Sequence, residues 1–172
     1  MAQDKLQGRS RGNFPLDDPT QSLMHDHNYV RQLMQRYLGT QDERVRQQAG
    51  PQICEALQLH TTLEEAVFYP RVQDIDAALV EKCQDDHQSA DELLVQLQEL
   101  QPGEAAYDDL MQQLHDIVVA HIELEEQQLF PALRAAGIDL QDLALRMQAY
   151  ESNLISTQAA SGRGAQPGSG LH

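Results

Sequence analysis

Apolar residues recur every three or four positions through most of the chain, the spacing of amphipathic helices rather than the alternation of strands. Asp18 and Pro19 suit an N-cap and a first helical residue, and predict a helix from there to about Leu38. Its apolar stripe is Leu23, Val30, Leu33, Met34 and Tyr37, and His27 sits inside that stripe. Residues 39–42 read as a turn. A second helical pattern covers residues 43–69, with a kink or short break expected at Gly50-Pro51 and an end at Pro70. A third runs over 76–100 and stops at Gln101-Pro102-Gly103. The fourth covers 104–136, with Pro131 near its end and Gly137 as the C′ residue. Asp139 can cap a shorter fifth helix reaching about Ile155. These patterns predict an all-α, up-down-up-down antiparallel four-helix bundle with a short fifth helix. A flexible segment is expected over 1–17, one domain over 18–155, and a disordered Gly- and Ser-rich tail over 156–172, in which His172 has no role.

Two segments repeat. His60-x3-Glu64-Glu65 leads to Tyr69-Pro70, and His121-x3-Glu125-Glu126 leads to Phe130-Pro131, 61 positions later. Upstream, Asp26-His27 and Asp86-His87 match at an offset of 60. The repeating unit is a helical hairpin with one His on its first helix and His-x3-Glu on its second. Two such units make a bundle with near-twofold internal symmetry.

Helical register brings these residues together. Positions equally far from a connecting turn share a height in antiparallel helices. The midpoints of His27–His60, His60–His87 and His87–His121 fall near 43.5, 73.5 and 104, each at or close to a predicted turn. All four histidines therefore occupy one layer. Glu64 and Glu125 lie one turn further on helices running the same way, about 6 Å along the axis. They approach each other across the core. Two carboxylates there require compensating positive charge, and four imidazoles with two carboxylates suit a pair of metal ions. Leu63, Val67, Leu124, Val30, Val118 and Leu94 are the expected apolar walls. His25 and His115 fall off the inward face, as surface or shoulder residues. Glu65 and Glu126 are one helical step from the inward carboxylates, and read as a solvated face. Asp91, at i+4 from His87, is at most an accessory donor.

Composition and charge narrow the picture. Hydrophobic residues make up 41%, with three Phe, five Tyr and no Trp, while helix-favouring Leu, Gln, Glu and Ala abound. Twelve basic against 27 acidic residues give a formal charge of −15, which argues against binding phosphate backbones. No apolar run approaches the length of a membrane span, and the first residues lack the apolar stretch of a signal peptide. A cytoplasmic location is expected. Cys54 and Cys83 fit a reducing compartment and lie too far apart in height for a disulfide.

The paired His-x3-Glu-Glu-x3-aromatic-Pro segments and the Asp-His pairs resemble the hemerythrin-like family, in particular its His-His-Glu cation-binding branch. The similarity covers residues 23–134. It implies two non-haem irons with an oxo or hydroxo bridge, held terminally by His27, His60, His87 and His121 and bridged by Glu64 and Glu125. The sequence departs from the oxygen carriers of that family. Asp91 stands where they have a fifth histidine, and Glu125 where they have an aspartate. Six-coordination of two irons needs twelve bonds. The two carboxylates, four histidines and bridge supply ten, so two positions stay open. The expected function is a di-iron protein that binds or senses O2, peroxide or nitric oxide, or handles iron. The alternatives are a di-iron peroxidase or oxidase, and a bundle that a metal merely stabilises.

Overall fold

A computed structural model describes residues 8–163, with side chains through residue 160; residues 1–7 and 164–172, including His172, lie outside the described part. Five helices account for the architecture, and no strand occurs among the described residues. Helix α1 is Thr20–Leu38. Helix α2 spans residues 43–72: Glu43–Leu63 is α-helical, Glu64–Phe68 is one wide π turn, and Tyr69–Val72 resumes the α register. Helix α3 is Ala77–Gln98. Helix α4 repeats the pattern of α2, with Ala105–Leu124, a π turn at Glu125–Leu129, and Phe130–Ala135. Helix α5 is Leu140–Arg163.

Short connections force neighbours antiparallel. Helix α1 packs on α2, α3 on α4, and α1 also on α4. The turns carry the chemistry their sequence offers. Asp42 and Asp76 accept from the backbone N–H of Arg44 and Leu79. Gly137 takes the left-handed conformation (φ 68°) that ends α4.

Several expectations are corrected. Helix α1 begins at Thr20; Asp18 caps it from one residue further out, accepting from Thr20 N–H at 3.1 Å. No break occurs at Gly50-Pro51, because Glu43–Leu63 is continuous with Pro51 inside it. The carbonyl deprived of a partner by Pro51 belongs to exposed Gln47, where water can satisfy it. The second helix does not end at Pro70. The π turn restarts the hydrogen-bond register at Tyr69, so Pro70 sits at the start of a new α segment, where a missing N–H costs little. Pro131 occupies the equivalent place. Residues 8–17 are folded against the bundle rather than loose: Phe14 is buried, and Arg9 bonds Asp26 and Glu151. Helix α5 continues eight residues past Ile155, through 156–163.

Two apolar clusters fill the interior. One contains Val30, Leu33, Met34, Tyr37, Leu94, Met111 and Val118. The other, under α5, contains Leu23, Leu63, Phe68, Tyr69, Phe130 and Met147. The expected walls Val30, Leu94 and Val118 belong to the first, and Leu63, Val67 and Leu124 to or against the second. Between the clusters lies a buried layer of histidines and glutamates.

Neighbouring side chains crowd the backbone at Gly50. A Cβ there would stand 2.6 Å from the Tyr107 hydroxyl oxygen and 3.2 Å from Pro102 Cγ. Gly50→Ala is expected to cost about 1–3 kcal/mol in urea unfolding. Adding Tyr107→Phe, which removes that oxygen, should recover part of the loss.

Candidate metal centre

The structure brings all six expected donors together. His27, His60, Glu64, His87, His121 and Glu125 are each no more than 5% exposed. Two overlapping groups form: His27, His60, Glu64 and Glu125, and Glu64, His87 and His121. Glu64 belongs to both. Its Oε1 lies 3.2 Å from His60 Nε2, and its Oε2 lies 3.3 Å from His87 Nε2. Glu125 Oε2 lies 3.2 Å from His27 Nε2 and 3.5 Å from His121 Nε2.

The histidines are oriented from behind. His27 Nδ1–H donates to Glu126 Oε1 at 2.9 Å, and His87 Nδ1–H to Glu65 Oε1 at 2.9 Å. An ionised carboxylate only accepts, so the proton sits on Nδ1 and Nε2 faces the centre. His60 Nδ1 and His121 Nδ1 face Asp26 and Asp86 at 3.7 and 3.8 Å. Glu65 and Glu126 therefore do not form a plain solvated face. One step past each inward glutamate, the chain points between helices, at the histidine of the neighbouring one. Arg31 and Gln84 anchor these two carboxylates in turn. The doubling of Glu-Glu in both repeats is the signal of this in the sequence.

The inward atoms are spaced for cations. His27 Nε2 and His60 Nε2 are 3.0 Å apart, and His87 Nε2 and His121 Nε2 are 3.1 Å apart. Two nitrogens at about 2.1 Å from one metal and at right angles are separated by about 3.0 Å. Facing nitrogens at that distance repel if both are bare and clash if both carry hydrogen. They need one shared proton or one cation. Glu64 Oε1 and Glu125 Oε2 are buried without a hydrogen-bond partner, although each faces imidazole nitrogens. The donor set thus fits a metal pair on its own geometry.

Without metal, protons take over the compensation. Burial opposes charging His60, but Glu64 and Asp26 outweigh it and raise its pKa to about 10. Burial likewise opposes charging His121, yet Glu125 and Asp86 hold it well above its ordinary value. Burial pushes Glu125 up, but His121 and His27 bring it well below the usual carboxylate range.

Tyr69 breaks the internal symmetry. Its hydroxyl donates to Glu125 Oε1 at 2.8 Å and lies 3.2 Å from His87 Nε2. The matching residue, Phe130, carries no oxygen and stacks on the His27 ring at 5.8 Å. Three other candidates stay outside: His25 and Asp91 are exposed, and His115 pairs with Asp116. Cys54 and Cys83 form no disulfide, and the buried Cys83 thiol lies near His121.

A helical bundle with a buried, duplicated His-carboxylate layer able to hold metal defines a class of cation-binding module. The chain belongs to the hemerythrin family: residues 18–133 match the hemerythrin HHE cation binding domain. A protein named DNA nickase from Nostoc sp. (strain PCC 7120 / SAG 25.82 / UTEX 2576) is 33% identical over 129 residues, which is 74% of this chain and 36% of that protein. The chain therefore spans about a third of the length of this relative. No solved structure matches.

Two outcomes are expected from this geometry. Glu126→Gln, which keeps the shape but weakens the hold on His27, is expected to lower metal affinity about ten- to a hundredfold in competition with a chelator. For the metal-free protein, the raised His60 pKa contributes stability that is full below about pH 6.5 and is lost as pH rises through about 10. Its melting temperature should fall across that window, and the metal-loaded protein should show a smaller fall.

Proposed function

We propose that this chain is a non-haem di-iron protein whose centre binds or senses O2 or a related small ligand such as peroxide or nitric oxide, or handles iron. His27, His60, His87 and His121 would hold the irons as terminal ligands, and Glu64 and Glu125 would bridge them. The observation that carries this reading is the convergence of six buried donors into two groups sharing Glu64, at the spacing of neighbouring ligands on one ion. Iron, when bound, supplies redox chemistry and a Lewis-acidic position for a small ligand.

The chain's own residues set the conditions. A cavity of about 20 Å³ adjoins the four histidines and is lined by Val30, Leu57, Ala90, Ile117, Val118 and Ile122. That is room for about one water-sized or diatomic guest in apolar surroundings. The Tyr69 hydroxyl holds a proton against Glu125 Oε1. That buried donor favours one second reading, turnover of peroxide with an external reductant. Cleavage of DNA is not part of the proposal. The formal charge of −15 opposes a phosphate backbone, and the chain matches only part of the relative so named.

Purified protein loaded anaerobically with ferrous iron is expected to hold two irons per chain and to gain visible bands on exposure to air. His60→Ala should lower the iron content to one or fewer. Colourless protein after loading, or unchanged metal content in His60→Ala, would sink the assignment. Peroxide-dependent oxidation of a dye separates an enzyme from a binding module.

A further inference from the structure

The two halves of the duplicated unit differ in what stands behind their aspartates. Asp26 and Asp86 play the same part, each facing Nδ1 of the histidine on the partner helix of its hairpin. Behind Asp26 is a buried charge cluster. Arg9 Nε donates to Asp26 Oδ2 at 3.1 Å, and Arg9 also bonds Glu151 of α5 at 3.0 Å. Arg11 stands 3.5 Å from Asp26 and 3.2 Å from Glu151. The side chains of Arg9, Asp26 and Glu151 are only 6%, 4% and 4% exposed, and the Phe14 ring lies 4.4 Å from the Arg9 guanidinium. Behind Asp86 stands Lys82, on the same helix and 60% exposed. The first pair interacts in desolvated surroundings, whereas water and salt screen the second.

The donor groups are unequal in the same sense. Glu125 Oε2 is closer to the first half, 3.2 Å from His27 Nε2 against 3.5 Å from His121 Nε2, and His27, His60, Glu64 and Glu125 form one mutually close group while Glu64, His87 and His121 form the other. The Tyr69 hydroxyl also engages Glu125 Oε1, which leaves Glu125 Oε2 as the oxygen nearest the histidines.

Resting on the proposed dimetal centre, we infer that the two metal positions are inequivalent and fill in order, the His27–His60 position first. Arg9 is a positioning residue for that position, acting on His60 through Asp26. The N-terminal segment and α5 thereby fasten one half of the centre and leave the other to a surface lysine.

The test is a calorimetric titration of full-length metal-free protein with cobalt(II), followed also by its visible absorption. Two resolved steps are expected, differing at least tenfold in affinity. His60→Ala should remove the tighter step and His121→Ala the weaker. Arg9→Gln should weaken the tighter step about ten- to a hundredfold and leave the weaker within about threefold. Arg9→Lys should restore part of the loss, and Lys82→Gln should change neither step by more than about threefold. Because Arg9→Gln leaves Glu151 short of a partner, the charge-balanced Arg9→Gln/Glu151→Gln variant is measured beside it, with helical circular dichroism and melting temperature as checks of folding. The same selective weakening in that variant supports the inference. Two indistinguishable steps, or an equal loss in both steps on changing Arg9, overturn it while leaving the dimetal reading intact. Absence of any cobalt binding removes the dimetal reading itself.

Discussion

Everything in this bundle is arranged around one electrostatic constraint: six buried donors whose inward atoms stand about 3 Å apart need positive charge between them. Glu64 and Glu125 lie at zero exposure with an oxygen each lacking a hydrogen-bond partner. A fold that buries such a layer destabilises itself unless protons or cations fill it. The apolar clusters on either side supply the offset. Any cation that fills the layer would stabilise the fold through it.

The backbone accommodates the site through the two π turns. Each begins at an inward glutamate and hands over to an α segment starting at Tyr69 or Phe130. One extra residue per turn rotates the next segment, and so swings the aromatic ring back toward the centre. In one half the ring brings a hydroxyl; in the other it brings an apolar face against His27. The prolines after the aromatics fall where the register is already interrupted. A residue type that breaks helices is here compatible with one.

Much of this architecture is legible from the chain alone. The helices, their turns and the six donors follow from periodicity, from the repeat at offsets of 60 and 61, and from symmetric distances to the turns. The hidden parts depend on geometry that spacing does not encode. A π turn has no simple residue signature, so Pro70 reads as a terminus. Pro51 looks disruptive because its effect depends on whether the orphaned carbonyl meets solvent. Rotation about their own helices turns Glu65 and Glu126 away from the centre, yet their partners lie on neighbouring helices. The fastening of residues 9–14 against α5 joins positions some 140 residues apart, which no local pattern announces.

The small cavity beside the histidines bears on how the proposed iron centre would be supplied with electrons. Its room for about one water-sized guest leaves no space for an organic reductant among the histidines. Electrons for a bound iron would therefore come from a donor on the surface and cross protein. The His27–Glu126 and His87–Glu65 pairs offer such routes, since their carboxylates are 19% and 39% exposed while their rings reach the interior. In the proposed centre these two imidazole–carboxylate pairs would be its electrical contacts.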